Sequence, residues 1–172
     1  MPNIYLVGFM GAGKTSVGRE LARALECAFV DLDSRLEDSF GMPIRDVFQA
    51  RGEAVFREAE REELLWCVGL DGAVVSTGGG AFCDPVNRDI IHSNEGVSVF
   101  LDVPWEELAR RLEGDPDTRP LFTGLDAARD LYRDRRPHYE TATWTVAVTG
   151  SESPTDVAER IASFVARTPC GT

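Results

Sequence analysis

The sequence predicts a three-layer αβα sandwich, in which helices cover a five-stranded parallel sheet. Five short β-rich segments alternate with helical patterns along the 172 residues, and such alternation is typical of a parallel sheet. The first predicted strand, 4–7, runs directly into the glycine-rich segment 8–15, which reads GFMGAGKT. A chain of this length that is 43% hydrophobic supports one full core, so we expect a single domain over 1–172 with its core at about 3–166.

The segment 8–15 fits the P-loop pattern G-x-x-x-x-G-K-[ST] at every fixed position. A strand precedes it and an apolar stripe over 16–25 predicts a helix after it, which is the order that a P-loop requires. Glycines let backbone N–H groups turn towards a phosphate at the start of a helix. An ordinary glycine-rich turn is the alternative, but it does not explain why the chain's only lysine stands at this point.

This motif predicts the nucleotide half of a site. The predicted phosphate-binding residues are Gly11, Ala12, Gly13, Lys14, Thr15 and Ser16. Within that set, we expect Lys14 to reach the β- and γ-phosphates and the Thr15 hydroxyl to hold Mg²⁺.

The second predicted strand, 28–30, ends in Asp31, Leu32 and Asp33. Strand alternation predicts that the two carboxylates share one side, at the carboxyl end where open α/β sheets bind ligands. Both carboxylates are therefore candidates for ligand binding. The alternative role for Asp33 is the N-cap of a helix over 34–40, and this role is compatible with ligand binding.

Two more helices are expected before the third strand. Pro43 suits the first position of one, and residues 51–52 separate it from a long helix over 53–68. We expect the charged residues over 57–62 to form mostly a solvated face. The apolar positions of the long helix are Val55, Phe56, Ala59, Leu64, Leu65 and Val68.

Candidate functional residues follow both the third and the fourth predicted strands, 73–77 and 97–101. Gly78, Gly79 and Gly80 follow the third strand, and their position favours a ligand loop with close backbone approach over a flexible turn. Asp102 follows the fourth strand and imitates a Walker B aspartate, which makes it a rival metal ligand. The helix-entry residues over 104–107 favour a turn or helix-start role for it instead.

The segment 114–120 is polar and rich in residues that break helices. It lies between a helix ending near 112 and a helix over 126–139, and a fifth strand (144–148) and a last helix (156–166) follow. Arg119 has the character of a lid residue that completes the charge clamp on a transferring phosphoryl group. We therefore expect a lid at about 112–124.

Composition limits the partners. The net charge of −11 does not suit non-specific nucleic-acid binding, and it requires a local arginine cluster for any anionic substrate. No apolar run approaches a membrane span and no signal-peptide layout is present, so we expect a cytoplasmic protein without a membrane partner. The four cysteines lack zinc-ligand spacing. Cys83, near the predicted site, is expected to be a bystander, and a monomer is the default expectation.

Several motifs in order resemble one family, shikimate kinase, which belongs to the P-loop enzymes similar to nucleoside monophosphate kinases. The resemblance runs from Asn3 to about Phe164. It rests on the P-loop, Asp31 with Asp33, Phe56-Arg57 with Glu60, Gly78-Gly79-Gly80, Arg119-Pro120-Leu121, and Arg135 with Pro137 and Tyr139.

The resemblance implies that ATP and shikimate give ADP and shikimate 3-phosphate, with Mg²⁺ as the cofactor. It implies an acceptor-binding segment at about 33–62, with Asp33 as the partner of the shikimate hydroxyls. Our own hypothesis is that Asp33 takes up the hydroxyl proton as general base. The implied shikimate-binding residues are Asp33, Phe48, Phe56, Arg57, Gly78, Gly79, Gly80 and Arg135. Thr15 matches the magnesium ligand, with Asp31 reaching the ion through water. Arg119 matches the lid arginine, and Arg110 and Pro154 resemble the pair that sandwiches adenine.

Three other functions remain open from the sequence. A gluconate-type kinase also phosphorylates a small polyhydroxy acid, and Arg57 and Arg135 with the glycine triplet argue against it. A nucleoside monophosphate kinase is disfavoured because the acceptor region is short. A non-catalytic nucleotide-binding module is expected to lose Lys14, Asp33 or one of the arginines, and all are present.

Overall fold

The structure, a computed structural model, describes residues 1–114 and 124–166. Its strands are β1 (Ile4–Val7), β2 (Ala28–Asp31), β3 (Ala73–Ser76), β4 (Val97–Asp102) and β5 (Trp144–Ala147). Its helices are α1 (Lys14–Ala24), α2 (Leu32–Phe40), α3 (Ile44–Arg51), α4 (Glu53–Val68), α5 (Pro85–His92), α6 (Trp105–Gly114), α7 (Leu125–Tyr139) and α8 (Pro154–Val165), with a short 3₁₀ helix at Ala81–Cys83. The predicted αβα sandwich with a five-stranded parallel sheet is confirmed.

The strand order, which the sequence left open, is β2-β3-β1-β4-β5. β1 is central and pairs in parallel with β3 on one side and β4 on the other. Strands β2 and β3 therefore lie on one side of β1, and β4 and β5 lie on the other. The point where the order changes sides is a topological switch point, and ligands bind at such points in open α/β sheets. The P-loop follows β1, the glycine triplet follows β3, and Asp31 is the last residue of β2, so all three lie at the carboxyl ends of the strands.

The centre of the sheet is buried as a parallel sheet requires. All four residues of β1 are at most 1% exposed, in keeping with strands covered on both faces. A second, smaller cluster lies apart from this core and joins α2, α3 and α4, through Leu36, Ile44, Val47 and Phe56. In the described part of the chain, no helix is both long enough and apolar enough to cross a membrane.

The start of α2 corrects the interpretation of the two aspartates. The helix begins at Leu32 because Asp31 is its N-cap, and the Asp31 carboxylate accepts a hydrogen bond from the Ser34 backbone N–H. Asp33 is therefore in the first helical turn. The predicted strand alternation of the two carboxylates is wrong, and so is the N-cap role for Asp33. Pro43 likewise lies at the N-cap of α3, one position before the predicted one.

Helix α4 has the predicted bounds but a different buried face. Val55 and Leu65 are 43% and 55% exposed, whereas Glu60, predicted to be solvated, is 1% exposed. The buried residues of the helix are Phe56, Glu60, Leu64 and Cys67. Because one position of this stripe carries a carboxylate, apolar spacing alone assigns the face incorrectly.

Asp102 does not start a helix, since α6 begins three residues later. Its two carboxylate oxygens accept hydrogen bonds from the Arg136 guanidinium, at 2.6 and 2.9 Å. The predicted turn or helix-start role is wrong. The rival role as a metal ligand is disfavoured, because an arginine already occupies both oxygens.

Candidate active site

A cleft of about 830 Å³ lies at the carboxyl edge of the sheet. It brings together residues that are more than 120 positions apart in the sequence. The predicted site residues on its wall are Gly11, Gly13, Lys14, Thr15, Ser16, Asp33, Phe48, Phe56, Arg57, Gly78, Gly79, Gly80 and Arg135.

The P-loop connects β1 to α1 as a tight cradle. Gly11 and Gly13 have φ values of 81° and 92°, which lie in the left-handed region that residues with a Cβ rarely adopt. The Lys14 ammonium donates hydrogen bonds to the carbonyl oxygens of Gly8 and Phe9, at 2.9 and 3.0 Å. Lys14 thus lies over the loop whose N–H groups and helix N-terminus suit a phosphate. Ala12 is 3% exposed and is not on the cleft wall.

Three side-chain oxygens meet beside the P-loop. The Thr15 hydroxyl donates a hydrogen bond of 2.7 Å to Asp31 Oδ2 and lies 3.4 Å from Ser76 Oγ. Mg²⁺ prefers oxygen ligands, and it usually binds through one or two carboxylates together with substrate phosphates. The donor set therefore fits Mg²⁺, and it adds Ser76 to the two residues that the sequence predicted.

Asp33 points from α2 to the glycine triplet. A Cβ atom added to Gly78 would lie 2.9 Å from Asp33 Oδ1 and 3.1 Å from Glu60 Oε1. Burial raises the pKa of Asp33, with the Lys14 ammonium opposing the rise and the carboxylates of Asp31 and Glu37 adding to it. A carboxyl group with a raised pKa is suited to accept a hydroxyl proton.

Arg57 is oriented by partners on its own helix. Its Nη1 donates a hydrogen bond of 2.8 Å to Glu60 Oε2, and its guanidinium lies 5.3 Å from the centre of the Phe56 ring. Burial disfavours the charged guanidinium, but Glu60 and Glu53 together raise the pKa of Arg57. Burial also raises the pKa of Glu60, and Arg57 opposes that rise. Phe48 packs on Phe56 at 4.6 Å between ring centres, so two rings form an apolar wall beside the arginine.

The glycine triplet leaves room for these side chains. A Cβ on Gly80 would lie 2.7 Å from Arg57 Nη2, and one on Gly79 would lie 3.5 Å from Arg135 Nη1. The Tyr139 hydroxyl donates a hydrogen bond to the Gly79 carbonyl and anchors the loop to α7. None of the three glycines has a positive φ, so close approach, not backbone conformation, explains them. Two guanidinium groups therefore converge on adjacent glycines.

Some predicted residues are not on the cleft wall. The Arg110 side chain is 70% exposed and binds Glu107 through two hydrogen bonds of 2.8 Å. Pro154 begins α8 after the Ser153 cap. Neither is among the residues that line the cleft. Arg119 lies outside the described residues, as does most of the predicted lid at 112–124.

The structure also reveals site residues that the sequence analysis missed. Arg111, not Arg110, lines the cleft, and its Nη1 donates a hydrogen bond of 2.9 Å to the Gly11 carbonyl. Adjacent arginines on a helix point about 100° apart, and only tertiary packing decides which one faces the P-loop. Glu60, predicted to lie on a solvated face, is a second such residue, and its position four residues after Phe56 places it on the buried stripe.

Cys83 lies near the arginines of the cleft. Burial raises its pKa, with Arg135 and Arg57 opposing the rise. A raised pKa keeps the thiol protonated and poorly nucleophilic, which supports the expectation of a bystander. Cys67 is fully buried, and Cys170 lies outside the described residues.

Comparisons with known proteins identify the family of this chain. Residues 10–166 match the family model described as shikimate kinase. A shikimate kinase from Sulfurihydrogenibium sp. (strain YO3AOP1) is 38% identical over 97% of this chain and 99% of the relative. One from Synechococcus sp. (strain RCC307) is 41% identical over 92% of this chain and 82% of the relative.

Solved structures give the same result. A shikimate kinase from Acinetobacter baumannii in complex with shikimate has a TM-score of 0.91 at 35% identity, over 99% of this chain and 96% of that one. A gluconokinase from Sinorhizobium meliloti 1021 has a TM-score of 0.58 at 23% identity, over 96% and 92% of the two chains. At that identity the second likeness concerns the fold alone.

Proposed function

The chain belongs to the shikimate kinase family, and we propose that its cleft holds ATP at the P-loop and shikimate between α2, α4 and the glycine triplet. It is a phosphotransferase that uses ATP and Mg²⁺ to phosphorylate shikimate. The observation that carries the proposed arrangement is the convergence of Asp33, Arg57 and Arg135 on Gly78, Gly79 and Gly80. The acceptor oxygen in this arrangement is the 3-hydroxyl.

The acceptor half suits a small polyhydroxy acid. Arg57 and Arg135 bind its carboxylate, because planar guanidinium groups recognise carboxylates through paired hydrogen bonds. Glu60 holds Arg57 at 2.8 Å, which limits the orientations of the guanidinium before the substrate arrives. Phe48 and Phe56 cover the apolar face of the ring. This local cationic pair attracts an anion although the whole chain carries a net charge of −11.

Asp33 accepts a hydrogen bond from the reacting hydroxyl and takes up its proton. Burial raises its pKa towards the working range of a base, and Lys14 limits the rise. Phosphoryl transfer depends mainly on positioning and charge stabilisation. The orientation of the hydroxyl by Asp33 therefore contributes alongside the proton transfer.

The donor half holds the phosphates. Backbone N–H groups of residues 11–16 bind the β-phosphate, and Lys14 moves from its loop carbonyls to the β- and γ-oxygens. Thr15 would hold Mg²⁺ directly and Asp31 would hold it through water, and the bound ion would supply positive charge to the phosphates. Arg119 acts as the lid arginine within 112–124. Pro154 contacts one face of adenine. For the arginine on the other face we propose Arg111 in addition to the predicted Arg110, because Arg111 faces the cleft.

The enzyme, in this proposal, works as a monomeric single domain on two small molecules, without nucleic-acid or membrane partners. An acidic chain with a net charge of −11 does not suit nucleic-acid binding. Sedimentation at assay concentration tests the monomer. The cytoplasmic location stays a prediction.

The test is an ADP-release assay with ATP and Mg²⁺ and with shikimate, gluconate or no acceptor. We expect turnover with shikimate only. Arg57→Ala should abolish most of it, whereas Arg51→Ala, which removes an exposed arginine from α3, should not. Turnover with gluconate and not shikimate would overturn the assignment of the acceptor. ATP binding without turnover on either acceptor would favour the non-catalytic module.

A further inference from the structure

The Asp102 and Arg136 side chains form a two-pronged ion pair. Arg136 Nη1 lies 2.6 Å from Asp102 Oδ1, and Nη2 lies 2.9 Å from Oδ2. Paired bonds of this kind fix orientation as well as distance. Asp102 ends β4, which pairs with the P-loop strand β1, and Arg136 lies on α7. The ion pair therefore ties α7 to the edge of the sheet where the P-loop begins.

Arg136 continues this connection towards the P-loop. Its Nη1 also donates a hydrogen bond to the Tyr132 hydroxyl, one helical turn earlier on α7. The Tyr132 ring meets the Phe9 ring edge-on at 5.5 Å between ring centres. Phe9 belongs to the P-loop, and its carbonyl accepts a hydrogen bond from Lys14. One face of α7 is thus in contact with the nucleotide half of the cleft.

The same helix carries two contacts of the acceptor half. Arg135 is adjacent to Arg136, and its Nη1 lies 3.5 Å from the point that a Cβ on Gly79 would occupy. Tyr139, three residues after Arg136, donates its hydroxyl to the Gly79 carbonyl. A small rotation or shift of α7 would move the Arg135 guanidinium and the glycine loop together.

We propose that Asp102 and Arg136 are positioning residues that hold the acceptor-binding face of α7 at a fixed distance from the P-loop. This inference rests on the proposed function, since it assigns Arg135 to the shikimate carboxylate. Neither residue is among those that line the described cleft. The ion pair acts on the acceptor through Arg135 and Tyr139. This positioning role accounts for an arginine binding an aspartate that stands in a Walker B-like position.

The test separates positioning from stability. Arg136→Gln, Asp102→Asn and the double variant are assayed with shikimate varied at saturating ATP, and with ATP varied at saturating shikimate. We expect each single variant to raise the KM for shikimate about five- to tenfold while the KM for ATP changes less than about twofold. The KM for shikimate of the double variant should not exceed that of the more impaired single variant, because each single change already breaks the ion pair.

Arg133→Gln is the matched control on the same helix. Arg133 is 65% exposed and lies 3.7 Å from Asp130, so its loss removes an arginine ion pair from the surface of α7 and should leave both KM values unchanged. If Arg136→Gln does not fold, Arg136→Lys keeps the charge without the paired bonds and should give an intermediate KM for shikimate.

Three outcomes would overturn the proposal. The first is a lower melting temperature of the single variants with an unchanged KM for shikimate. The second is an equal rise in both KM values, and the third is a double variant in which the effects of the two single changes multiply. A wild-type enzyme without shikimate-dependent ADP release would instead refute the proposed function, which distinguishes the two failures.

Discussion

The nucleotide half and the acceptor half of the cleft are built in different ways. In the nucleotide half, Lys14 contacts carbonyl groups only five and six residues away, and the P-loop consists of eight consecutive residues. In the acceptor half, Asp33, Arg57 and Arg135 come from three helices and meet at a loop after β3. The first half depends on local backbone conformation, and the second depends on the tertiary fold.

This difference separates the two tasks of a kinase. A backbone cradle binds phosphate in any nucleotide, so it cannot by itself choose the acceptor. In the proposed arrangement, partly buried charged side chains choose the acceptor, and such groups are sensitive to pH and to small displacements. We therefore expect changes in each half to alter a different kinetic constant, and the following variants test this from the largest effect to the smallest.

Lys14→Met should affect mainly the nucleotide half, although it also removes the ammonium that opposes the rise in the pKa of Asp33. Turnover should fall about 10²–10³-fold, because one fixed cation that stabilises the transferring phosphoryl group is lost. The affinity for shikimate measured by calorimetry without nucleotide should change much less than turnover does. Lys14→Arg should be nearly as slow, since a planar guanidinium does not replace a compact ammonium. An equal loss of shikimate binding would show that the halves are not separate.

Asp33→Asn should affect the chemical step in the acceptor half. With saturating shikimate, we expect turnover to fall about 10²-fold, the lower range for loss of a general base. Asp38→Asn, an exposed change on the same helix, is the control and should be neutral. Near-normal turnover in Asp33→Asn would refute the general-base role.

The pH dependence of Asp33 should have opposite signs for activity and stability. Burial raises its pKa in the folded protein above the ordinary value of 3.8. The folded state then binds more protons than the unfolded chain, so stability from this group is greatest below the unfolded pKa and is lost as pH rises through the folded pKa. Activity needs the ionised group, and kcat/KM for shikimate should fall about tenfold per pH unit below the folded pKa.

A comparison of wild type with Asp33→Asn isolates this group. Urea unfolding at a series of pH values should find the variant more stable than wild type at neutral pH. The acid limb of the pH–rate profile should flatten in the variant. A variant less stable at pH 7 would mean that the charged Asp33 is favourably bound in the fold.

Gly80→Ala should move the carboxylate clamp without touching the nucleotide. Its Cβ would lie 2.7 Å from Arg57 Nη2, so the guanidinium must shift. We expect the KM for shikimate to rise about tenfold with little change for ATP, since misplacements near 1 Å have effects of up to about 100-fold. In the control Gly69→Ala, the nearest atom would be 3.4 Å away, an ordinary contact. Unchanged shikimate kinetics in Gly80→Ala would show that the clamp does not need this glycine.

Glu107→Gln should have the smallest effect, in the nucleotide half. Glu107 binds Arg110 and Arg111, and these hydrogen bonds lower its pKa to about 2. Arg111 in turn binds the Gly11 carbonyl. We expect the KM for ATP to rise about two- to threefold, the range of a solvent-accessible ion pair, with the KM for shikimate unchanged. A larger change for shikimate than for ATP would contradict the division of the cleft.

Local patterns were sufficient to predict most of the fold. Alternating strands and helices gave the sheet, and the P-loop was confirmed because strand, glycine loop and helix are adjacent in the chain. The strand order depends on crossovers between distant strands, which local patterns do not encode. The start of α2 was missed because Asp31 and Asp33 are both good caps, and only the hydrogen bond from Ser34 to Asp31 decides between them.

The acceptor half could be predicted only through resemblance to a family. No spacing rule brings Asp33, Arg57 and Arg135 together, since they meet at a glycine loop from a fourth part of the chain. Glu60 shows the limit of apolar periodicity, because a buried carboxylate paired with Arg57 reads as a surface charge. The choice between Arg110 and Arg111 depends on how α6 packs against the P-loop.

The most direct test of the central claim compares shikimate with its methyl ester as acceptors. If Arg57 and Arg135 bind the carboxylate, the wild-type kcat/KM should be about 100-fold lower for the ester than for the acid. A loss of this size is expected when charge-assisted hydrogen bonds to a carboxylate are removed. Arg57→Ala should be slow with both acceptors and should discriminate between them much less. If Arg57→Ala prefers the acid over the ester as strongly as wild type does, the carboxylate lies elsewhere and the account of the acceptor half is wrong.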